Sequence, residues 1–406
     1  MDKLNILKQC EKNLEQQFNR LDEISFFNQQ KVLSAFQKNK ISTRHFVGTN
    51  GYGYGDMGRD TLNQLFADVF GAEKALVSPQ ITCGTHALST ALFGILRPYD
   101  TILSATGEVY DSMIENIRGT TEDIGSLKDY LVKYEQIDLV DGKIDLEKLK
   151  HYVAKLKPKL VYVQRSRGYS LRKAFSVSEI EKVIKIVKEI SPDTFVMIDN
   201  CYGEFVEEKE PTEVGADIIV GSLIKNAGGG IAPTGGYIAG TEKAINLIEK
   251  RLTCPSLGAE TGSYEQGYRM FYQGLFMAPH ITMQAIKGAY LVGEVMKNRG
   301  YDIVPKSDEP CYDIIKSIIF NTSEELIKFV QLIQKNSPID SDAVPMPWEM
   351  PGYADKVIMA AGTFVSGASI ELSCDSPIRE PYIAYFQGGL TYEHIKCLCL
   401  ELLNNY

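Results

Sequence analysis

The sequence predicts an α/β protein: a mostly parallel sheet flanked by helices, followed by a smaller C-terminal α+β domain. Three observations predict it. Short apolar runs recur between residues 75 and 223, and longer stretches, several with helical period, separate them. Polar residues close those runs, Gln164 and Arg165, Asp199 and Asn200, Ser222 and Lys225, as they do where ligands gather at the carboxyl edge of a parallel sheet. Near His280 the rhythm changes to one long helix and then to strand-like runs mixed with helices. These patterns divide the chain into an N-terminal helix and loop (1–60), a large α/β domain (61–280) and a small domain (281–406).

Taken in order, a helical pattern with Leu14, Phe18 and Leu21 on one face comes first. The loop HFVGTNGYGYGDMGRD follows, too rich in glycine for a regular element. A second helix is expected at DTLNQLFADVFG, stopped by Gly71. The runs ALVSP, TILSAT, KLVYVQRS, TFVMIDN and ADIIVGSL are the expected strands of the large sheet. LEKLKHYVAKLK and VSEIEKVIKIVKEI supply helices between them, which makes right-handed crossovers the expected connections. Beyond His280 come the helix TMQAIKGAYLVGEVMKNRG and the strand-like DIIKSIIF, KVIMAAGTF and PYIAYFQ.

Composition excludes several classes. Hydrophobic residues make up 44% and charged ones 23%, without repeats or low-complexity tracts, which argues against disorder. The net charge of -9, from 43 basic and 52 acidic side chains without long like-sign blocks, does not suit a nucleic-acid groove. No apolar stretch approaches the roughly 18 residues of a membrane span, and the charged N-terminus lacks the basic-then-apolar form of a leader, so a cytoplasmic protein is expected. Eight scattered cysteines form no CxxC pair, and Cys397 and Cys399 fall on different faces of a helical pattern. With five histidines at no metal-binding spacing, no metal site is expected.

Two glycine motifs compete for a phosphate. GYGDMG (53–58) matches GxGxxG, but the polar ISTRHFVGTN before it cannot be the buried strand that a dinucleotide site needs. Cys83-Gly84-Thr85-His86 follows ALVSPQIT and opens a helical pattern, where bare backbone and the first amides of a helix favour an anion.

Lys225 then stands out, between the buried run DIIVGSLI and three glycines. Pyridoxal 5'-phosphate needs an amine for its aldehyde, an acid for its ring nitrogen, and amides and hydroxyls for its phosphate. Lys225 is the amine, Asp199 at the end of TFVMIDN the acid, and Gly84, Thr85 and Ser222 the phosphate groups. Tyr110, after TILSAT, can lay its ring over the pyridine.

That order, and the strings VQRSRGYS, IDNCYGEFVE, GSLIKNAGGGIAPTGGYIAG and AAGTFVSGASIELSCDSPIREPYIAYFQGGLTYEH, resemble the aluminium resistance protein family. That family is methionine γ-lyase-like or cystathionine β-lyase-like and belongs to the fold type I pyridoxal-phosphate enzymes. The likeness runs from about Gly48 to the C-terminus. It implies a carbon–sulfur lyase of sulfur amino acid metabolism, acting on an amino acid by β- or γ-elimination, with Lys225, Tyr110 and Asp199 as catalytic residues. It also implies Arg379 as anchor of the substrate carboxylate, with Arg165 the next candidate. Ile224 departs from the better-studied lyases, which carry a second hydroxyl there. By the same resemblance Tyr52, Tyr54 and Arg59 reach the phosphate of a neighbouring subunit, in a homodimer or homotetramer. Two other readings stay open: an aminotransferase or aldolase on the same scaffold, and a non-catalytic metal-tolerance protein.

Overall fold

The structure, a computed structural model, describes residues 3–119, 125–350 and 355–406. Its larger sheet joins β1 (Lys74–Ser78), β2 (Thr101–Ser104), β3 (Lys133–Gln136), β4 (Leu160–Gln164), β5 (Phe195–Asp199), β6 (Ile218–Ser222) and β7 (Gly236–Gly240). Their order is β1-β7-β6-β5-β4-β2-β3. Strands β3, β2, β4, β5 and β6 pair in parallel, and β7 runs antiparallel to both β1 and β6.

Continuous apolar runs suit a sheet covered on both faces. Val196 and Ile198 of β5 pack into one core, while Phe195 and Met197 pack into the other. The covering helices include α4 (Gly84–Ile95), α6 (Leu146–Leu156), α7 (Val177–Ile190) and α8 (Glu242–Leu252). Helix α7 starts where a capping box predicts it: the Ser176 hydroxyl accepts from the Glu179 amide, and the Glu179 carboxylate accepts from the Ser176 amide. The remaining helices are α1 (Lys3–Asn13), α2 (Glu15–Lys38), α3 (Met57–Val69), α5 (Asp111–Arg118), α9 (Arg269–Asn298), α10 (Ser323–Lys335) and α11 (Tyr392–Asn405). No described helix is long and apolar enough to cross a membrane.

A second sheet of order β10-β11-β12-β9-β8 comprises β8 (Asp302–Val304), β9 (Ile315–Phe320), β10 (Val357–Ala360), β11 (Ser373–Pro377) and β12 (Tyr382–Gln387). All its pairings are antiparallel. Its core includes the buried C-terminal half of α9 and residues of α10 and α11.

Three elements differ from expectation. The edge strand β3 reads Lys-Tyr-Glu-Gln, without an apolar run to announce it. Strand β7 is glycine-rich because a Cβ at Gly240 would lie 2.0 Å from the Asp217 carbonyl oxygen. Helix α9 begins at Arg269, eleven residues before the expected change, and carries Pro279 in its interior. The proline removes one backbone donor, and the helix continues on its buried packing.

Candidate active site

Strands β4, β5 and β6 end side by side, so Gln164, Asp199 and Ser222 share one edge of the sheet. Together with the N-terminus of α4 they line a cavity of about 220 Å3. Gly84, Thr85, Tyr110, Gln164, Asp199, Ser222 and Lys225 all face it. The sequence thus named seven residues that the fold brings to one place. A larger cavity of about 430 Å3, between α4 and α8, has neither carboxylate nor thiol among its described lining residues.

The Lys225 segment turns sharply after β6. Gly229 and Gly230 adopt φ of +55° and +68°, in the region that favours glycine. The turn also presses against α9: a Cβ at Gly229 would sit 2.3 Å from the Gly274 carbonyl oxygen, and one at Gly274 would sit 2.3 Å from that of Gly228. The glycine triplet therefore lets two backbones touch directly behind the lysine. Lys225 Nζ stands 4.1 Å from the centre of the Tyr202 ring, a cation–π contact. Tyr202 itself holds φ of +70°, a strained conformation for a non-glycine residue.

Electrostatics around the lysine are mixed. Burial pulls the Lys225 ammonium down, and the Asp199 carboxylate pushes it up. Burial in turn pushes the Cys201 thiol and the Tyr202 hydroxyl up, so both are neutral near pH 7. The Glu204 carboxyl, below the lysine, is driven by burial to about 8, although Tyr237 Oη donates to its Oε1 at 2.9 Å.

Asp199 is held rigidly. Tyr162 Oη donates to its Oδ2 at 3.2 Å and the Cys201 amide to its Oδ1 at 3.1 Å. Gln164 Oε1 is buried with no described hydrogen-bond partner, as a group awaiting a ligand would be. At the opposite wall, α4 begins at Cys83 without a side-chain cap, so its first amides and positive dipole end are open to the cavity. Thr85 Oγ1 and Ser112 Oγ hydrogen-bond at 2.9 Å, and Ser222 Oγ accepts from the Ile224 amide at 3.4 Å.

Four expected residues lie elsewhere. Arg165 is fully buried behind the sheet edge and donates to Phe175 O, Asn200 Oδ1, Gly203 O and Glu207 Oε2. Its guanidinium is committed to the protein, which corrects its expected role as a substrate anchor. Arg59, expected at the phosphate of a neighbouring subunit, makes its described contacts within its own chain. It braces the N-terminal loop, donating to the carbonyls of Gly53, Gly262 and Glu260 and pairing with Asp60. Tyr52 and Tyr54 are 66% and 61% exposed, stack on each other at 5.3 Å, and do not line the Lys225 cavity.

Arg379 lines an adjoining cavity of about 320 Å3 that shares Tyr110, Gln164 and Gly168 with the first. It pairs with Asp355 at 3.0 Å. It therefore stands at the approach to Lys225 and not beside it. The sequence reading missed Tyr162, Cys201, Tyr202 and Glu204. All but Tyr162 lie in IDNCYGEFVE, whose polar residues after a buried strand were the available signal.

This architecture is that of the fold type I pyridoxal-phosphate-dependent enzymes; the pyridoxal-5'-phosphate-dependent protein YhfS of Escherichia coli superposes with a TM-score of 0.64 at 15% identity, each chain covered to 96% and 97%. The methionine gamma-lyase family model matches residues 3–406, and the chain belongs to that family. A carbon-sulfur lyase involved in aluminum resistance from Clostridium novyi NT is 50% identical, with a TM-score of 0.95 over 99% of this chain and 95% of that one. The uncharacterised protein YnbB of Bacillus subtilis is 50% identical over 380 residues, 93% of this chain and 90% of its own length.

Proposed function

We propose that the protein is a pyridoxal-phosphate-dependent carbon–sulfur lyase that eliminates a thiol from a sulfur-containing amino acid. One observation carries the reading: an amine, a fixed carboxylate and an uncapped helix N-terminus face one cavity of about 220 Å3. These residues fit the cofactor's three demands, and the orphaned Gln164 Oε1 gives it a further hydrogen-bonding site. Family membership supports the same reading.

Bound there, pyridoxal 5'-phosphate supplies an aldehyde that takes an amine and a ring that withdraws electrons from the adjacent carbon. Asp199, fixed by Tyr162 and Cys201, holds a proton at the ring nitrogen. The first amides of α4, with Ser222 and Thr85, receive the phosphate. A cation seated on Asp199 cancels that carboxylate's field at Lys225 and returns the amine toward its neutral form. Neutral Nζ can then accept the α-proton, and Tyr110, which borders the cavity, supplies a proton to the departing sulfur.

Arg379 draws the substrate carboxylate toward the approach side of the cavity. The exposed pair Tyr52 and Tyr54 reaches the phosphate of a second copy, from a loop that Arg59 braces. This makes a homodimer or homotetramer the working form. Mixing Lys225→Ala subunits with Tyr52→Ala/Tyr54→Ala subunits should restore partial activity, and no recovery in proven mixed dimers contradicts the shared site. The eight free cysteines suit a reducing, cytoplasmic setting.

The function is tested by incubating the cofactor-loaded protein with cystathionine, cysteine, homocysteine and methionine. Equimolar 2-oxo acid and thiol are expected from at least one of them. An amino-group acceptor converted with no thiol released would make the protein an aminotransferase.

A further inference from the structure

Three cavities meet at Tyr110: the Lys225 cavity, the approach lined by Arg379, and a third of about 220 Å3 beneath the second sheet. The third is bounded by Lys225 and Tyr202 on one side and by Met359, Ser373, Asp375 and Gln387 on the other. Among its described lining residues, Lys225 and Asp375 alone carry charge. Asp375 sits on β11, two residues from Ser373, so both side chains leave the same face of the strand.

Asp375 is hydrogen-bonded but not ion-paired. Tyr169 Oη donates to its Oδ2 at 2.9 Å, and no described lysine or arginine forms a salt bridge with it. Burial pushes its carboxyl up to about 6, against the opposing effects of Tyr169 and Lys225. The Ser373 hydroxyl is buried and has no described hydrogen-bond partner. A carboxylate with no described salt-bridge partner next to a hydroxyl with no described hydrogen-bond partner, both lining the cavity beside the reactive lysine, is costly unless a ligand completes it.

We propose that Asp375 determines specificity for a substrate whose sulfur-bearing arm ends in an ammonium group, with Ser373 Oγ as a second acceptor. The arrangement rests on the lyase reading and adds the substrate class to it. An ammonium offers three donors and one positive charge, and Asp375 with Ser373 Oγ answers two of the donors and the charge. In the adjoining cavity Arg167, Arg172 and Arg379 outnumber Glu108 and Asp111 and favour the opposite charge, so a zwitterion with a distal ammonium suits the three spaces together. A neutral thioether arm would leave Asp375 buried and uncompensated, and an anionic arm would be repelled.

The test uses cofactor-loaded protein and two matched pairs. S-(2-aminoethyl)-L-cysteine and S-propyl-L-cysteine are compared by kcat/KM; L-lysine and L-norleucine, which have no carbon–sulfur bond, are compared by calorimetric binding. The ammonium-bearing member of each pair should be favoured about tenfold or more, and Asp375→Asn should bring both ratios to about one. Ser373→Ala should lower them by about threefold. The wild-type ratios depend on no variant folding. Equal treatment of the members of both pairs, a preference that survives in Asp375→Asn, or no measurable binding of L-lysine would overturn the assignment, and continued thiol release in any of these cases would leave the lyase reading standing. An Asp375-dependent preference for L-lysine with no 2-oxo acid from either cysteine derivative would instead sustain Asp375 and remove the lyase.

Discussion

The two sides of the Lys225 cavity are built differently. The floor comes from the ends of three neighbouring parallel strands, the start of α4 and the glycine turn pressed on α9. Its functional groups are clamped by short, local contacts, such as those on Asp199 from Tyr162 and the Cys201 amide. The roof comes from the second sheet, more than a hundred residues later in the chain, and its polar groups have spare bonding capacity among the described residues: Asp375 forms no described salt bridge and Ser373 Oγ has no described partner. A fixed floor suits chemistry common to many substrates, and a roof with open valences suits choosing among them.

If the floor does the chemistry, breaking it should cost the most. Lys225→Ala should abolish thiol release altogether, because no other described amine faces the cavity; steady-state 2-oxo acid production reads this, and residual turnover above about a hundredth of wild type would move the chemistry elsewhere. Asp199→Asn keeps the shape but cannot hold a proton at the ring nitrogen. A fall in kcat of about a hundredfold or more is expected, and a variant within about threefold of wild type would reduce Asp199 to a structural cap.

Next in size is Arg165, which the fold makes a brace. Arg165→Ala leaves Glu207 and Glu210 without their buried partner and should cost about 3 kcal/mol or more in urea unfolding. An unchanged stability with a raised KM would return Arg165 to the substrate. At the approach, Arg379→Lys keeps the charge and loses the planar fork, so KM should rise about two- to fivefold with kcat nearly unchanged. A fall in kcat as large as that of Asp199→Asn would place Arg379 on the floor and dissolve the comparison.

The last prediction concerns pH. Glu204 has its folded carboxyl raised from 4.5 to about 8 by burial, so the native protein binds more protons than the unfolded chain between those values. The stability from its proton is fully present below about pH 4.5 and is lost as pH rises through about 8. Glu204→Gln removes this dependence, and the Tm difference between variant and wild type should therefore grow in the variant's favour from pH 5 to pH 8. A difference that stays constant would show Glu204 ionised throughout.

The floor was also the legible side. Strands buried on both faces read as apolar runs, and a polar residue that ends such a run is conspicuous, which is how Asp199, Ser222 and Gln164 could be picked out. Glycines next to Lys225 made that lysine conspicuous, although they did not show that α9 presses against them. Arg165 shows the limit. It ends a strand as Gln164 does, yet points behind the sheet into Glu207 and Glu210, and neighbours along a strand face opposite sides. The roof was hidden because SCDSP lacks the apolar alternation of a strand, and because which face of β11 meets Lys225 is decided by how the two sheets dock. The partners of Arg59 within its own chain were hidden for a similar reason: Glu260 and Gly262 lie two hundred residues away.

Borohydride reduction of the cofactor-loaded protein, followed by peptide mapping, tests the central claim most directly. The account predicts a single pyridoxyl label on the peptide carrying Lys225. A label on another lysine, such as Lys173, Lys243 or the buried Lys316, would contradict it.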